Sequence, residues 1–218
     1  MSSMLVIVPT RKRPEQCDQL LKAFQETALI SDIVFGIDDD DDSQYSDAVK
    51  DRAHWAPRLR MGGTLNLIAQ KNADKYKWLA FMGDDHRPRT KAWDLLLAAE
   101  LKGDPGIAYG NDLLQGGNLP TACVMSSDIV QKIGYMVPPT LIHMYMDNFW
   151  LDMGRALGNL RYREDVVIEH LHPLAGKAAW DESYKETNAE NQYSQDAMAY
   201  HSYKSVQFGQ DVRKILGI

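Results

Sequence analysis

The stretch WLAFMGDDH, residues 78–86, indicates how this chain folds. An apolar run breaks at Gly83 and is followed by two acids and a histidine. Short apolar runs that end at a turn residue are typical of strands buried on both faces of a sheet. In open α/β sheets, ligands bind at the carboxyl ends of such strands. The stretch therefore predicts a buried strand that delivers Asp84, Asp85 and His86 to a binding site.

Two similar apolar runs precede this one. Residues 4–8 (MLVIV) lead into a proline, and residues 33–37 (IVFGI) lead into five aspartates, Asp38–Asp42. After the first run, Pro14 opens a pattern with apolar residues on one helical face. Alternating strands and helices predict an α/β fold with a mainly parallel central sheet and helices on both faces.

The remaining elements are predicted from weaker signals. Residues 58–61 are assigned to a short third strand. Thr64 is assigned as the cap of a helix that ends near residue 75, and Thr90 as the cap of one that ends near 102. Farther along, the pattern predicts strands at 122–125 and 162–170 and helices at 128–133, 146–157 and from about 192.

The composition is that of a globular protein of one large domain. Of its 218 residues, 44% are apolar and 25% charged. The net charge of −6 argues against a general nucleic-acid binder. Cys17 and Cys123 are expected to be reduced core residues. The sequence shows neither a membrane-spanning apolar run nor a signal-peptide pattern, so we expect a cytoplasmic protein.

Polar loops follow three of the predicted strands. Residues 9–13 are basic, whereas 38–42 and 83–86 are acidic. In a parallel sheet these loops share one edge, where they suit an anionic ligand held by guanidinium groups and by a metal bound to carboxylates. The sequence lacks a P-loop motif, and no GxGxxG follows the first strand, which argues against a Rossmann dinucleotide site.

A series of motifs runs through residues 3–173. In order, they are VIVPTRKRPEQ, the acidic turn, GGTLNLIAQKN, FMGDDHRP, Gly116-Gly117, MYMDNFWLDMGRALG and VVIEHLHP. In this order they resemble the nucleotide-sugar glycosyltransferases of the GT-A fold, close to their family 2 group. The resemblance implies one GT-A-like domain over residues 1–218. Its parts are a Rossmann-like nucleotide-sugar half (about 1–110), an acceptor half (about 111–175) and a helical extension (about 176–218).

The resemblance also implies roles for individual residues in holding the donor. The positions that match nucleotide-sugar contacts are Pro9, Thr10, Arg11, Asp38 or Asp39, Asn66, Lys71 and Asp84. Arg11, Arg13 or Arg87 could add charge-assisted hydrogen bonds to the phosphates.

Asp85 matches the metal-binding second acid of the family's Asp-x-Asp signature, while Gly83 stands where the first acid is expected. His170 or His172 matches the histidine that completes the metal site; we favour His170, and rank His86 behind it. Carboxylates suit Mn²⁺ or Mg²⁺, and an imidazole ligand favours Mn²⁺.

The predicted function is metal-dependent sugar transfer, of the hexosyltransferase type, from a nucleoside-diphosphate sugar to an acceptor hydroxyl. The resemblance favours a UDP-sugar and an inverting, non-processive reaction, with Asp147 matching the catalytic base. The acceptor stays open between a glycan, a lipid-linked sugar, a protein, a small molecule and a modified DNA base. The alternatives are a sugar-phosphate nucleotidyltransferase, disfavoured because residues 9–15 contain no glycine, and a degenerate nucleotide-binding module.

Simpler interpretations exist for several of these residues. The aspartate run 38–42 could be a solvated loop in which at most one or two acids touch a ligand. Asp147 could serve as the N-cap acid of a helix. His143, Tyr145 and Trp150 could line an acceptor pocket or pack, and packing is the favoured reading for Trp150.

Overall fold

The structure is a computed structural model that describes residues 2–177 and 190–218. Its strands are β1 Met4–Thr10, β2 Ser31–Asp38, β3 Ala53–Ala56, β4 Trp78–Phe81, β5 His86–Pro88, β6 Ile107–Asn111, β7 Cys123–Ser126 and β8 Leu160–His170. Its α-helices are α1 Pro14–Thr27, α2 Asp47–Lys50, α3 Arg60–Asn72, α4 Trp93–Glu100, α5 Ser127–Ile133, α6 Met146–Ala156, α7 Glu190–Val206 and α8 Phe208–Leu216.

The strands form one mixed sheet in the order β3-β2-β1-β4-β7-β6-β8-β5. The first four are parallel, so the carboxyl ends of β1, β2 and β4 meet at one edge. Strand β7 runs antiparallel to both β4 and β6, and β8 runs parallel to β6. Short β5 pairs antiparallel with the end of β8 and sets His86 opposite His170. The mainly parallel α/β sheet expected from the sequence is confirmed.

Apolar layers cover both faces of this sheet. Successive residues of β1 point to opposite faces: Leu5 and Ile7 join a core with α3, α5, α6 and the C-terminal helices. Val6 and Val8 join a second core with α1 and α4. Burial on both faces explains why β1 reads as a continuous apolar run. Both cysteines are buried free thiols, as expected.

The third strand was predicted at the wrong place. Residues 53–56 pair with β2, whereas residues 60–72 form helix α3. Thr64 lies inside this helix rather than at its cap. A Cβ on Gly36 of β2 would lie 2.3 Å from Thr64 Cγ2, so the threonine packs directly on a strand that has no side chain there. Close helix–strand packing overrides its capping preference.

Thr90 does not cap α4 either. Its hydroxyl accepts the N–H of Val167 at 2.9 Å and ties the loop to β8. The helix instead begins after Ala92, which has a left-handed backbone. The fully buried carboxylate of Asp94 accepts the N–H groups of Leu29 and Ile30, which fixes the start of α4 against the rest of the domain.

The later elements follow the predicted pattern closely. Helix α5 ends at Gly134 with φ +90°, and α6 and β8 lie within two residues of their predicted positions. The C-terminal helices α7 and α8 pack Tyr200, Tyr203 and Ile215 into the first core. In the described parts of the chain, no helix is both long enough and apolar enough to cross a membrane.

Candidate functional site

A cavity of about 320 Å³ opens at the carboxyl ends of β1, β2 and β4. It contains most of the residues that the sequence singled out, namely Pro9, Thr10, Arg11, Asp38, Asp84, Asp85, Asp147, His170 and His172. Its wall also includes His86, Trp150, Arg13, Arg58, Arg60, Thr121, residues 142–146 and Gln192. Segments that are far apart in the sequence, from residue 9 to residue 192, thus contribute to one cavity.

Direct contacts join the basic loop after β1 to both acidic loops. Arg11 Nη1 lies 2.9 Å from Asp38 Oδ2, and its guanidinium also binds both carboxylate oxygens of Asp40. Arg13 Nη1 lies 3.0 Å from Asp84 Oδ1. The shared edge expected from a parallel sheet is therefore present, with guanidinium and carboxylate groups interleaved.

Asp84 is bound by the protein on both carboxylate oxygens. Thr10 Oγ1 donates to Oδ2 at 2.7 Å, and Arg13 donates to Oδ1. Burial raises the pKa of Asp84, the charge of Asp85 adds to this, and Arg13 opposes it. Asp84 thus fixes the loop after β1 against the loop after β4, while Asp85 takes a different direction.

Asp85 faces two imidazoles across the β5–β8 pair. Its Oδ2 lies 3.3 Å from His170 Nε2, and its Oδ1 lies 3.3 Å from His86 Nδ1. The two rings stack with centroids 4.2 Å apart. Burial works against ionisation of Asp85, but the two histidines outweigh it and hold the pKa of this carboxyl well below its usual range. Asp85 is therefore a carboxylate at neutral pH.

These three side chains have the composition of a metal site. One possible ligand atom from each of Asp85, His86 and His170 lies within 4.8 Å of the others. His170 Nδ1 and His86 Nε2 are buried without a hydrogen-bond partner in residues 2–177 and 190–218. One carboxylate with two imidazoles is a donor set that fits a divalent metal ion. His172, at the cavity wall beyond the end of β8, contacts the His170 ring with centroids 5.1 Å apart.

Gly83 is required by the packing of this cluster. A Cβ at this position would lie 2.6 Å from Asp85 Oδ1 and 3.0 Å from His86 Nδ1. The Gly83 N–H also donates to His86 Nδ1 at 3.0 Å. The glycine that replaces the first acid of the Asp-x-Asp pattern thus leaves the space that His86 and Asp85 occupy.

The guanidinium groups divide into two sets. Arg58 and Arg60 line the cavity with Arg11 and Arg13, and Arg58 Nε lies 3.7 Å from Asp38. Arg87 is instead 3% exposed and does not line the cavity described. Its side chain donates to the backbone carbonyls of Asp84 and His86 and to the amide oxygens of Gln16 and Gln19. Arg87 therefore stabilises the loop of Asp84–His86 and does not face the cavity in which it was expected to bind phosphate.

Three residues predicted to bind the nucleotide are not among the described residues that line the cavity. Asp39 is exposed in the turn after β2. Asn66 is buried in α3, where its side-chain oxygen accepts the N–H groups of Met136 and Val137. Lys71 lies at a second surface depression, with Nζ 3.3 Å from His54 Nε2. Helix α3 thus uses these polar positions for tertiary contacts and for another surface.

The aspartate run is largely structural. Asp41 is buried and accepts the N–H of Lys12 at 2.7 Å and the hydroxyl of Tyr45 at 2.8 Å. Asp38 lines the cavity, whereas Asp40 holds Arg11 from its exposed side. One of the five acids therefore lines the cavity, within the number expected from the sequence.

Asp147 lines the same cavity from the first turn of α6. The N-cap of that helix is Tyr145, so Asp147 is not the cap residue; its carboxylate accepts the N–H of Asn148 at 2.9 Å. Burial raises the pKa of Asp147. Trp150 is fully buried and donates to the Met136 carbonyl, in agreement with a packing role.

The sequence predicted neither the pairing of β5 with β8 nor the role of Asp112. His86 joins the cluster because β5 pairs with β8, and a three-residue strand has too little pattern to be recognised. Asp112 organises the loop that carries Thr121 to the cavity, and its backbone carbonyl accepts the N–H of His170. The signal for Asp112 was available, since an Asp followed by Gly116-Gly117 is typical of a side-chain-capped turn.

Comparison with known proteins identifies the fold. No protein-family model matches the chain, and no curated protein sequence matches it. Among solved structures, S. aureus TarS residues 1–349 in complex with UDP superposes with a TM-score of 0.59 at 12% identity, covering 95% of this chain and 73% of that one. The chain covers 43% of a longer TarS structure.

Two further structures agree. The mannosyltransferase PcManGT from Pyrobaculum calidifontis, in complex with GDP-Man and Mn²⁺, gives a TM-score of 0.60 at 10% identity over 99% of this chain and 73% of that one. Mycobacterium tuberculosis glucosyl-3-phosphoglycerate synthase, in complex with Mn²⁺, UDP and phosphoglyceric acid, gives a TM-score of 0.57 at 11% identity, covering 89% of this chain and 77% of that one. The chain has the GT-A glycosyltransferase fold that its motifs resembled.

Proposed function

We propose that this protein transfers a sugar from a nucleoside-diphosphate sugar to an acceptor hydroxyl with the help of a divalent metal. The observation that carries the proposal is that Arg11 and Arg13, the Asp85–His170 pair and Asp147 all line one cavity. Structures of the same fold bind UDP or GDP-Man, and two of them hold Mn²⁺. Those ligands match the charges of this cavity.

The donor is proposed to lie along the carboxyl ends of β1 and β2. Asp38 is proposed to accept hydrogen bonds from the nucleoside; its position on the cavity lining at the end of β2 supports this. Arg11, which contacts Asp38, and Arg13, which contacts Asp84, are proposed to supply charge-assisted hydrogen bonds to the diphosphate. We favour a UDP-sugar on the resemblance of the motifs, with a GDP-sugar as the second candidate.

The metal would be held by Asp85 and His170, with His86 or His172 as the further imidazole. A cation bound there supplies positive charge beside the diphosphate oxygens that become more negative as the glycosidic bond breaks. The chain's own contribution is to hold Asp85 ionised with its two histidines, and to keep Asp84 engaged with Arg13 and Thr10. The mixed oxygen and nitrogen donors favour Mn²⁺ over Mg²⁺.

Asp147 is proposed as the general base. The acceptor hydroxyl loses its proton to the Asp147 carboxylate while its oxygen bonds to the anomeric carbon and the nucleoside diphosphate leaves. The raised pKa of this half-buried carboxyl strengthens it as a base. Such assistance is typically worth about 10²–10⁴-fold in rate. Direct displacement by one oxygen inverts the configuration at the anomeric carbon.

A donor-hydrolysis screen tests this function. UDP- and GDP-sugars are incubated with Mn²⁺ and wild type, Asp85→Ala or Asp39→Ala, and release of the nucleoside diphosphate is measured. We expect release by wild type, comparable release by Asp39→Ala, whose acid lies outside the cavity, and strong loss in Asp85→Ala. Equal turnover by wild type and Asp85→Ala would contradict the proposal. Release of diphosphate from nucleoside triphosphates would favour a nucleotidyltransferase instead.

A further inference from the structure

Helix α7 holds the part of the cavity wall that precedes Asp147 in the sequence. The carboxylate of Asp196, which is 1% exposed, accepts three consecutive backbone N–H groups: Ile142 at 2.9 Å, His143 at 2.9 Å and Met144 at 2.7 Å. All three of these residues line the cavity. A residue some fifty positions away in sequence thus fixes the segment that leads into α6.

The next residue, Tyr145, is held in an uncommon conformation. Its φ is +66°, a left-handed backbone that bulky residues rarely adopt. Such strain persists where surrounding contacts over-determine it, and it concentrates at binding sites. Here the Asp196 hydrogen bonds hold the preceding residues, and the Tyr145 ring lies 5.4 Å from both Tyr193 and Tyr200. The segment is built to present Tyr145 at this place.

An aromatic surface results at the edge of the cavity. Tyr145 is half-buried and its hydroxyl donates to that of Tyr193 at 2.9 Å, while Tyr193 remains 53% exposed. Polar groups adjoin it, because Gln192 and His143 both line the cavity. Asp147, the proposed base, follows Tyr145 by two residues. The surface therefore lies where an acceptor must enter.

We propose that the Tyr145–Tyr193 pair is the acceptor subsite and that it binds a sugar ring; the inference rests on the proposed glycosyl transfer. The apolar face of a sugar would lie on the exposed ring of Tyr193. Gln192, whose Nε2 donates to Asp196 at 3.1 Å, would accept from a sugar hydroxyl through its side-chain oxygen, and His143 would hydrogen-bond to another and direct it to Asp147. Flat aromatic surfaces with a few placed polar groups are the usual way to bind and orient a ring of mixed polarity.

The charges nearby favour a neutral saccharide over a nucleic acid. Asp147 borders the subsite, and the chain carries a net charge of −6. Lys204, the only lysine in α7, is engaged 2.6 Å from Asp152. A phosphate backbone depends on basic side chains for most of its affinity. The same aromatic pair could stack a nucleobase, so an oligonucleotide belongs in the test.

Saturation-transfer NMR with a panel of free mono- and disaccharides tests the subsite without a donor. The proteins are wild type, Tyr193→Ala, Tyr193→Phe and Met198→Ala; Met198 is 67% exposed on α7, away from the face that carries Tyr193 and Asp196. We expect at least one saccharide to bind wild type and Met198→Ala equally. Its affinity should fall about tenfold in Tyr193→Ala and less than about threefold in Tyr193→Phe, as expected for loss of an aromatic contact.

Affinity for UDP with Mn²⁺, measured in parallel, should be the same in all four proteins. This separates the two proposals, because failure of wild type to bind UDP or hydrolyse a donor counts against the function alone. The subsite is overturned if wild type binds UDP but none of the saccharides, or if Tyr193→Ala binds them as well as wild type. Tyr193-dependent binding of a single-stranded oligonucleotide in preference to every saccharide also overturns it.

Discussion

Asp112 provides a quantitative test of how the cavity wall is held in place. Its Oδ1 accepts the N–H groups of Leu114 at 2.9 Å, Gln115 at 2.7 Å and Gly116 at 2.8 Å, and Oδ2 accepts the Thr121 hydroxyl at 2.7 Å. The side chain is 3% exposed. Replacement by alanine leaves three N–H groups without this acceptor.

The expected cost follows from those bonds. Hydrogen bonds to a charged group are worth about 1.5–3 kcal/mol each. Because the freed loop regains contact with water, we expect a loss of about 3–5 kcal/mol for Asp112→Ala rather than the full sum. Asp112→Asn retains Oδ1 as a neutral acceptor and should cost only about 1–2 kcal/mol.

The pH dependence has a definite sign. Burial opposes ionisation of Asp112, but the N–H groups and Thr121 outweigh it and lower its pKa. A carboxyl with a lowered folded-state pKa stabilises the protein above its unfolded pKa of about 3.9, and that contribution is lost as the pH falls below it. The stability difference between wild type and Asp112→Asn should therefore shrink as the pH drops from about 5 to 3.

Urea unfolding of the three proteins, extrapolated linearly to water, measures these free energies. The reasoning is refuted if Asp112→Ala costs less than about 1 kcal/mol, below the smallest expected effect of the lost bonds. It is also refuted if asparagine costs as much as alanine, because the geometry assigns most of the effect to Oδ1 as an acceptor.

Three further outcomes are expected. Gly83→Ala places a Cβ 2.6 Å from Asp85 Oδ1 and so displaces that carboxylate. Calorimetry should therefore show that the affinity for UDP in the presence of Mn²⁺ falls about tenfold or more. Gly83→Asp, which supplies the acid of the Asp-x-Asp pattern, should bind UDP no better than Gly83→Ala. In pH–rate profiles of the wild type, kcat/KM should fall as the pH drops through a pKa that lies above the ordinary 3.9 of an aspartate. Asp147→Asn should lose about 10²–10⁴-fold in activity, and its kcat/KM should no longer fall at acidic pH. Trp150→Ala should cost about 3–5 kcal/mol in chemical unfolding, because the side chain is fully buried.

The sequence predicted most reliably those elements that a short run of neighbouring residues determines. The apolar runs at residues 4–8 and 78–82 became buried parallel strands because burial on both faces demands continuous hydrophobicity. From that topology, the meeting of Arg11 and Arg13 with the acids of the other loops followed directly.

What the sequence could not supply depends on tertiary contacts. His86 reaches the cluster through pairing of β5 with β8, whose paired residues lie eighty or more positions apart in the sequence. Asn66 and Thr64 are both polar residues on helix α3, and the sequence alone does not distinguish their roles. Only the packing of α3 shows that Asn66 binds backbone N–H groups and that Thr64 fills the space above Gly36. The left-handed backbone of Tyr145 likewise depends on Asp196, far along the chain.

The central claim is that Asp85 binds a divalent metal that holds a nucleoside diphosphate. Isothermal titration calorimetry of UDP and of GDP into wild type and Asp85→Asn, with Mn²⁺ and with EDTA, tests it most directly. For the nucleotide that binds more tightly, wild type should lose about tenfold or more in affinity when EDTA replaces Mn²⁺. Asp85→Asn should bind it equally weakly in both buffers. Equal affinity of wild type in the two buffers, or full Mn²⁺ enhancement in Asp85→Asn, would contradict the claim.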